Sequence, residues 1–379
     1  MSSTKRSFPL SILDGSACGL TMRSTLLHTA ALVAALGVTA CAVSTDNTVA
    51  GQDDGAASDV DAVIKNGQHV YDHVVVVIME NRSTTQINAK SVNGTYIHDL
   101  KTQGVNFTQA HAVTHPSEPN YLAMFSGSTQ GVTDDSCPNS FNTTKNLGSQ
   151  LINAGKSFKG YSESMPNAGY TGCDTGNYAR KHNPWVMFPS VPAASNLTFS
   201  DFPKLDYTKL PTVSFVVPNL CSDMHDCSFS TGDNWLRNNL AGYVKFAKAN
   251  NSLLILTWDE DDSDSANGND IPAVFVGAFI KPGTTNSQSY NHYNLLATLE
   301  DMYNLPRLNN ASGKPAITNW YACQNAEPVD VAGYHDAQGY LCSDWKGFDC
   351  NQAAEQYGYT AAQESSIIKS CGISCNICP

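Results

Sequence analysis

Basic clusters are the first feature that this 379-residue sequence lacks. It carries 34 acidic against 22 basic residues, for a formal net charge of −12, and contains no run rich in lysine or arginine. Proteins that bind nucleic-acid backbones need such cations to neutralise phosphates, so we expect no nucleic-acid binding beyond a substrate role. No internal repeat is evident either. The 41% hydrophobic content is enough for one large globular domain or two smaller ones.

A long membrane-spanning segment is also missing. The apolar run LLHTAALVAALGVTAC follows Met22 and Arg23 and ends at Cys41. It has the basic start, the apolar length and the small-residue exit of a secretory signal, and it is short for a membrane span. We therefore predict an N-terminal extension and secretory signal over residues 1–43, a polar linker over 44–69, and no transmembrane anchor. Residues 38–41 also resemble a bacterial lipobox, a hypothesis that we rank second.

Sequons and cysteines both favour export. Of twelve cysteines, two lie in the signal region, and the ten that remain fit disulfides of an oxidising compartment. Paired Cys-x-x-Cys knuckles, typical of zinc sites, are absent. Two local pairs are plausible, Cys221 with Cys227 and Cys137 with Cys173. The Asn-X-Ser/Thr sequons, which suit a secreted glycoprotein, begin at Asn81, Asn93, Asn106, Asn142, Asn196, Asn250 and Asn310.

Four continuous apolar runs predict the fold class. HVVVVIM at 73–79 is rich in β-branched residues, as in strands buried on both faces of a sheet, and similar runs lie at 213–217, 252–258 and 272–280. Helical patterns lie between these runs. The alternation predicts an α/β three-layer sandwich with a mainly parallel sheet over residues 70–322.

The last part of the chain, residues 323–379, has a different composition, with CSDWKGFDC followed by CGISCNIC. A short Cys-rich stretch of this kind depends on disulfides more than on a core. Its cysteine spacing resembles the small ShK-toxin-like domain, although the third cysteine of that family is missing. We therefore expect either that Cys375 pairs with Cys323 or that the module is degenerate. The module is a candidate for surface or carbohydrate attachment.

Polar residues follow three of the apolar runs at the point where each strand should end. Glu80 and Asn81 follow the first run, Asp259 to Asp262 follow the third, and the segment after 213–217 holds Asp223, His225 and Asp226. Ligands gather at the carboxyl ends of parallel strands, and these side chains are hard oxygen ligands with one histidine. Any one of them is more often a helix cap or a solvated loop residue. Together they predict a site for a divalent cation.

The stretch THPSEPNY raises the question of a nucleophile. Ser117 stands where a helix should begin, and a serine hydroxyl needs a base or a metal before it can attack. A cation held by Glu80, Asn81 and Asp259 would meet that need. The alternative is that Ser117 caps the helix, with Glu118 in its first turn. A G-x-S-x-G elbow is absent, which argues against an α/β-hydrolase triad.

Several motifs in order resemble the phosphoesterase family of acid phosphatases and phospholipases C, in the alkaline-phosphatase-like superfamily. They span about residues 70 to 310 and are DHVVVVIMENR (72–82), THPSEPNY (114–121), GSTQGVTDD (127–135), YARKHNP (178–184), MHDCSFSTGDNWL (224–236), TWDEDD (257–262) and HYNLLATLED (292–301). The ordered set is far more specific than any one motif. Within the family, the GSTQGVTDD tract and the absence of a lipid-binding domain are most similar to secreted bacterial acid phosphatases.

The resemblance implies roles for individual residues. Glu80 and Asn81 correspond to metal ligands, Ser117 to the residue that forms a covalent phospho-enzyme, and Asp259 and Glu260 to a second acidic pair. A second half-site is implied that binds metal, contacts phosphate or protonates the leaving group; its candidates are His225, Asp226, Asp233 and His292. Of these, His225 and His292 are taken as catalytic and Asp226 as a metal ligand. Lys181 and His182 are implied as phosphate contacts, although a surface Lys-His pair is the commoner explanation.

The resemblance therefore predicts a secreted, metal-dependent phosphomonoesterase, an acid phosphatase, that works through a phosphoserine on a phosphorylated small molecule or lipid. One alternative is a phosphodiesterase of the phospholipase C type. Another is a secreted binding protein that uses its Cys-rich tail. A sulfatase relative is disfavoured, because the sulfatase nucleophile motif is absent around Ser117.

Overall fold

The computed structural model describes residues 64–262, 268–321 and 329–376. The predicted N-terminal extension, the signal and most of the linker lie outside the described residues, as do Cys323 and Cys378. The predicted boundary near residue 323 also falls in a gap. Within the three described ranges, no helix is both long enough and apolar enough to cross a membrane.

Nine strands of the described chain form one sheet. In chain order they are β1 (His73–Met79), β2 (Val105–His111), β3 (Phe158–Ser162), β4 (Asn196–Thr198), β5 (Val213–Val217), β6 (Ser252–Trp258), β7 (Asp270–Gly277), β8 (Thr284–Asn286) and β9 (Tyr290–Asn291). Their order across the sheet is β8-β2-β7-β6-β1-β5-β3-β4, and β9 also pairs with β2. Of these strands only β7 runs antiparallel to its neighbours, β6 and β2.

Helices cover both faces of the sheet. They are α1 (Thr84–Lys90), α2 (Tyr96–Gln103), α3 (Ser117–Ser126), α4 (Leu147–Asn153), α5 (Phe229–Ala249), α6 (His292–Met302), and, near the chain end, α7 (Ala353–Gln356) and α8 (Ala361–Ser370). Helix α5 packs on α2, β6 and β7, whereas α3 packs on α4 and α6. Successive residues of β1, from Val74 to Met79, are fully buried, so neither face of the central strands meets water. The predicted α/β sandwich with a mainly parallel sheet is confirmed.

The Cys-rich module has a small core of its own, in which Trp345, Tyr359 and Ile367 pack around its cysteines. The disulfides Cys342–Cys371 and Cys350–Cys375 cross it. The expected pairing of Cys375 with Cys323 is therefore wrong; Cys375 lies against Cys350 because helix α8 folds back over the 350–352 turn.

The module contacts the end of the sheet that lies away from the predicted site. Asn376 Nδ2 donates to the carbonyl of Ala249, and the Asn376 carbonyl accepts from Phe279 N. Lys248 pairs with Asp349 at 3.1 Å. Ala249 precedes β6, whereas Asp259 follows it, so the length of a seven-residue strand, about 20 Å, separates the module from the site.

Candidate functional site

Three adjacent strands bring the predicted site together. Because β6, β1 and β5 lie side by side and parallel, the turns that follow them meet at one edge of the sheet. Hydrogen bonds from backbone nitrogens join these turns: Asn81 N donates to the side-chain Oδ1 of Asp259 at 3.1 Å, and Glu80 N donates to the Asp223 carbonyl at 2.9 Å. Asn81 itself adopts a left-handed conformation, with φ of 43°, which asparagine tolerates better than most residues.

Ser117 lies in the middle of these turns. It is the first residue of α3, and the residue before it, Pro116, stands at the N-cap position. The cap hypothesis for Ser117 is therefore wrong, whereas the predicted first-turn position of Glu118 is confirmed. The Ser117 hydroxyl is buried and within reach of Glu80 Oε2 at 3.2 Å, Glu260 Oε1 at 3.2 Å and Asn81 Oδ1 at 3.5 Å. Its single proton has acceptors on two sides.

The carboxylates around Ser117 lie close together and are buried. Burial, with the negative charges of Asp259 and Asp223, raises the pKa of Glu80 well above its usual value. Burial raises the pKa of Asp223 to about 8 and that of Asp259 to about 6. The pKa of Glu260 rises to about 8 through burial and the nearby charge of Asp259. Carboxyls that repel one another away from water favour a counter-cation.

A histidine completes a set of possible metal ligands. The ligand atoms of Glu80, His182 and Asp223 lie within 4.8 Å of one another, and all three residues are buried. His182 Nε2 is 3.0 Å from Glu80 Oε1, and His182 Nδ1 is 3.9 Å from Asp223 Oδ2. Burial holds the pKa of His182 well below 6.5, helped by Lys181, so the ring is neutral, the form that binds metals.

Three buried atoms of this cluster have no hydrogen-bond partner among the described residues: His182 Nε2, Asp223 Oδ2 and Asp259 Oδ2. Buried polar atoms are rarely left so. The 3.0 Å approach of His182 to Glu80 does not have hydrogen-bond geometry, which is the arrangement expected of two ligands around a common ion. A mixed set of carboxylate oxygens and an imidazole nitrogen fits a divalent cation such as zinc, manganese or iron.

Lys181 brings a positive charge to the edge of this cluster. Its Nζ lies 2.7 Å from Asp135 Oδ2, while Asp135 Oδ1 accepts from Glu118 N at 2.9 Å. Burial lowers the pKa of Lys181, but the bond to Asp135 and the charges of Glu80 and Asp259 outweigh it and raise the pKa overall. Asp135 therefore ties the cation to the first turn of α3. The resemblance to the family implied no role for Asp135, which lies in the GSTQGVTDD motif.

A disulfide joins the two segments that carry this pair. Cys137–Cys173 links the loop of Asp135 to the segment before Lys181, and Arg180 N donates to the Cys173 carbonyl at 2.8 Å. The second predicted local disulfide, Cys221–Cys227, closes the turn that holds Asp223. Both local pairs are confirmed. Each shortens a loop whose side chains reach the site.

The second half-site implied by the family motifs is more dispersed. His292, the first residue of α6, is buried and lies with Nε2 at 2.6 Å from the Asp259 carbonyl, so it supports the turn of Asp259. Burial lowers the pKa of His292 to about 4. His225 Nδ1 lies 2.7 Å from Asp226 Oδ1, and the Asp226 side chain is 55% exposed. In this turn it is Asp223 that enters the buried cluster, in the position proposed for Asp226.

Asp233 lies outside the cluster. Its two carboxylate oxygens accept from the backbone nitrogens of Tyr96 and Ile97, at 2.9 and 2.8 Å. It therefore anchors the first turn of α2 on α5.

THPSEPNY contributes more side chains than its serine. Tyr121 donates its hydroxyl to Glu80 Oε1 at 2.5 Å and stacks on the His182 ring, and Asn120 Nδ2 donates to Glu260 Oε2 at 3.2 Å. His115 lies with Nδ1 2.9 Å from Glu260 Oε2 and Nε2 3.3 Å from Asp261 Oδ1. Sequence reasoning gave these three no role. The signal for Asn120 and Tyr121 was their one-turn spacing from Ser117, which places them on the same side of α3.

Comparisons with known proteins show which family the chain belongs to. The model of the phosphoesterase family matches residues 93–306. A phosphatidylinositol-3-phosphatase of Mycobacterium tuberculosis is 50% identical over 248 residues, which cover 65% of this chain and 82% of that protein. An acid phosphatase of Aspergillus fumigatus is 34% identical over 55% of this chain, which spans only 50% of that protein.

A solved structure from the alkaline phosphatase superfamily, from Vibrio parahaemolyticus, is 13% identical with a TM-score of 0.45, over 66% of this chain and 71% of that one. The family match covers more than half of the present chain, and the mycobacterial relative is matched over most of its length. Both point to hydrolysis of phosphoric esters. This chain is a phosphoric ester hydrolase and belongs to the phosphoesterase family.

Proposed function

We propose that the chain is a secreted phosphomonoesterase that depends on a divalent cation and works through a phosphoserine at Ser117. The observation that carries this proposal is the position of Ser117 Oγ, 3.2 Å from carboxylate oxygens of both Glu80 and Glu260, inside a buried cluster that has unpartnered ligand atoms.

In the first step Ser117 Oγ attacks the phosphorus, the bond from phosphorus to the ester oxygen breaks, and the alcohol leaves after taking a proton. The hydroxyl proton passes to a neighbouring carboxylate, Glu80 or Glu260, each of which has an oxygen 3.2 Å from Ser117 Oγ. In the second step a water attacks the phosphoserine, and phosphate leaves as Ser117 recovers its proton.

The residues that would hold the cation are Glu80, Asn81, Asp259 and Glu260, together with His182 and Asp223. The bound cation supplies charge neutralisation for the phosphoryl oxygens and favours the ionised serine. Lys181, fixed by Asp135, would stabilise phosphate charge from the edge of the cluster. His225, in the turn of Asp223, remains our candidate for proton transfer to the leaving group. His292 was predicted to be catalytic; we assign it instead to positioning Asp259, whose carbonyl it contacts.

The experiment is phosphate release from p-nitrophenyl phosphate by the wild type and by Ser117→Ala, each with and without a chelator. We expect activity to vanish with either change and to return when a divalent cation is added back. Ser365→Ala, an exposed serine of α8 in the Cys-rich module, is the matched control and should keep full activity. Acid quenching followed by intact-mass measurement should detect one phosphate on the wild type and none on Ser117→Ala. Full activity in Ser117→Ala would refute the proposal.

The substrate class needs a separate comparison. The mycobacterial relative is named a phosphatidylinositol-3-phosphatase, which makes a phosphorylated lipid a second candidate beside small phosphomonoesters. A diester preference remains the rival activity. Faster release from bis-p-nitrophenyl phosphate than from the monoester would favour the phospholipase C-type alternative.

Secretion and glycosylation remain proposals, and the structure restricts the second. Asn196 is buried and its Nδ2 donates to the Tyr170 carbonyl, so in the folded chain it is not accessible to glycans. Asn93, Asn142 and Asn310 are exposed and are the better candidates. Mass measurement of the protein from culture medium, before and after deglycosylation, would test both points.

A further inference from the structure

His115 lies two residues before the candidate nucleophile, at the border of the buried cluster. Its side chain is 37% exposed, whereas the Glu260 side chain beside it is only 4% exposed. His115 Nδ1 lies 2.9 Å from Glu260 Oε2, and His115 Nε2 lies 3.3 Å from Asp261 Oδ1. Each ring nitrogen therefore faces a carboxylate oxygen, and a proton on either nitrogen has an acceptor. The ring joins the segment of the nucleophile to the acidic turn that follows β6.

The two carboxylate oxygens of Glu260 have different neighbours. Oε1 lies 3.2 Å from Ser117 Oγ. Oε2 lies beside His115 Nδ1 and accepts a hydrogen bond from Asn120 Nδ2 at 3.2 Å. A glutamate side chain has several rotatable bonds, but its carboxyl group is planar, so contacts that fix Oε2 also fix the direction of Oε1. The orientation of the oxygen that faces Ser117 therefore depends on His115 and Asn120.

The backbone that carries His115 is held from two sides. Asn120 Oδ1 accepts from the backbone nitrogens of the two residues that precede His115, at 2.9 and 3.1 Å. Asn269 Nδ2 donates to the Thr114 carbonyl at 2.8 Å, and Asn269 Oδ1 accepts from Asp261 N at 2.8 Å. Asn269 thus ties the segment before the nucleophile to the acidic turn. Because this backbone is fixed, the His115 ring can hold a partner at a defined distance.

We propose that His115 is a positioning residue, which holds the Glu260 carboxylate so that one of its oxygens faces Ser117. The inference rests on the proposed function and deepens it, because Glu260 is a candidate acceptor of the Ser117 proton and a candidate ligand of the cation. His115 acts through Glu260 and does not itself touch the substrate. The loss of a group that orients a metal ligand typically costs about 10- to 100-fold in metal affinity or activity.

Two substitutions of His115 separate the orientation of Glu260 from other effects. His115→Ala removes the ring, so kcat for p-nitrophenyl phosphate should fall about tenfold while KM changes by less than about twofold. His115→Asn keeps a donor at the position of Nδ1, so its kcat should stay within about threefold of the wild-type value. His335→Ala, which changes an exposed histidine of the Cys-rich module, is the matched control and should keep wild-type kinetics.

The position of Glu260 gives a second measurement, which needs no turnover. Crystal structures of the wild type, His115→Ala and His115→Asn, each treated with a chelator, would give the distance from the Glu260 carboxylate to Ser117 Oγ. We expect this distance to stay near 3.2 Å in the wild type and in His115→Asn. In His115→Ala it should exceed about 4 Å, which is beyond hydrogen-bond range.

Unchanged kcat in His115→Ala, or a Glu260 carboxylate that keeps its place in that variant, would overturn the inference. So would an equal loss of kcat in His115→Asn, because the ring rather than the donor would then matter. A loss confined to alkyl phosphates, whose leaving groups need a proton more than p-nitrophenolate does, would also overturn it, since His115 would then protonate the leaving group. Failure of the proposed function gives a different result, namely no turnover of any phosphomonoester by the wild type, while the crystal structures still decide whether His115 orients Glu260.

Discussion

Asp223→Asn should stabilise the chain when metal is removed. Asp223 is buried; its Oδ1 accepts from His225 N at 2.8 Å, and its Oδ2 has no hydrogen-bond partner within the described ranges. Burial, reinforced by the charges of Asp259 and Asp226, raises its pKa from 3.8 to about 8. Asparagine keeps the Oδ1 acceptor and removes the charge, so the substitution isolates the electrostatic cost of this carboxylate.

The raised pKa fixes the sign and the size of the effect. Between about pH 4 and pH 8 the folded, metal-free chain holds a proton on Asp223 that the unfolded chain has lost. The free energy of unfolding therefore falls as the pH rises through this window, by about 1.4 kcal/mol per pH unit for this one group. Between pH 3.8 and about pH 7, the loss in the free energy of unfolding that is due to Asp223 adds up to about 4 kcal/mol. This value is the upper bound of the stability that Asp223→Asn should restore.

Urea unfolding across about pH 5 to 8, in a chelator and then with a saturating divalent cation, measures this cost. In the chelator, Asp223→Asn should be the more stable chain and its pH dependence the flatter. With the cation the order should reverse, because cation binding stabilises the folded state and the variant lacks a ligand. Glu355→Gln, an exposed acidic residue of α7 in the Cys-rich module, is the control and should follow the wild type. Parallel pH profiles for Asp223→Asn and wild type in the chelator would refute the reasoning.

Two further predictions concern groups that touch the site indirectly or not at all. Asp135→Asn weakens the contact that holds Lys181 while it keeps an acceptor for the first turn of α3. The kcat for p-nitrophenyl phosphate should therefore fall about tenfold with little change in Tm. A large fall in Tm that accompanies the loss of kcat would contradict a positioning role. Asp336→Asn removes the charged acceptor of the hydrogen bonds that the Trp345 and Tyr359 side chains donate, which should destabilise the Cys-rich module. Limited proteolysis should then cut the module faster, while turnover of p-nitrophenyl phosphate stays normal. Lost turnover would contradict the separation of module and site.

Long elements of the fold could be predicted because their side chains repeat one requirement. HVVVVIM and SLLILTW are apolar over most of their length, from Val74 to Met79 and from Leu253 to Leu256, as strands buried on both faces require, and both are central strands. The direction of Asp270–Gly277 could not be predicted, because an apolar run has no direction and the residues that reverse the chain before it carry no apolar pattern. Strands of two or three residues, such as Asn196–Thr198, are too short to show a period.

A site residue could be predicted where a strand end or a helix start has one candidate side chain. It could be predicted only in part where a turn contains several candidates. Glu80 and Asp259 each directly follow a strand, and Ser117 is the first residue of a helix. The structure brings the three side chains together. The turn of Asp223 and Asp226 offers two carboxylates within four residues; the family motif led us to choose Asp226, whereas the buried carboxylate is that of Asp223. Met224 decides between them: it is buried with φ of 83°, a left-handed conformation that reverses the chain directly after Asp223.

A bulky residue in that conformation needs compensation. The Arg82 guanidinium supplies some of it through the Met224 carbonyl, and the Cys221–Cys227 disulfide closes the turn around it. The reversal leaves Asp223 inside and carries Asp226 out to solvent, where it pairs with His225. The local motif MHDC predicts neither the positive φ of Met224 nor the hydrogen bond from Arg82 to its carbonyl. Which of the two carboxylates is buried therefore depends on tertiary contacts across the site.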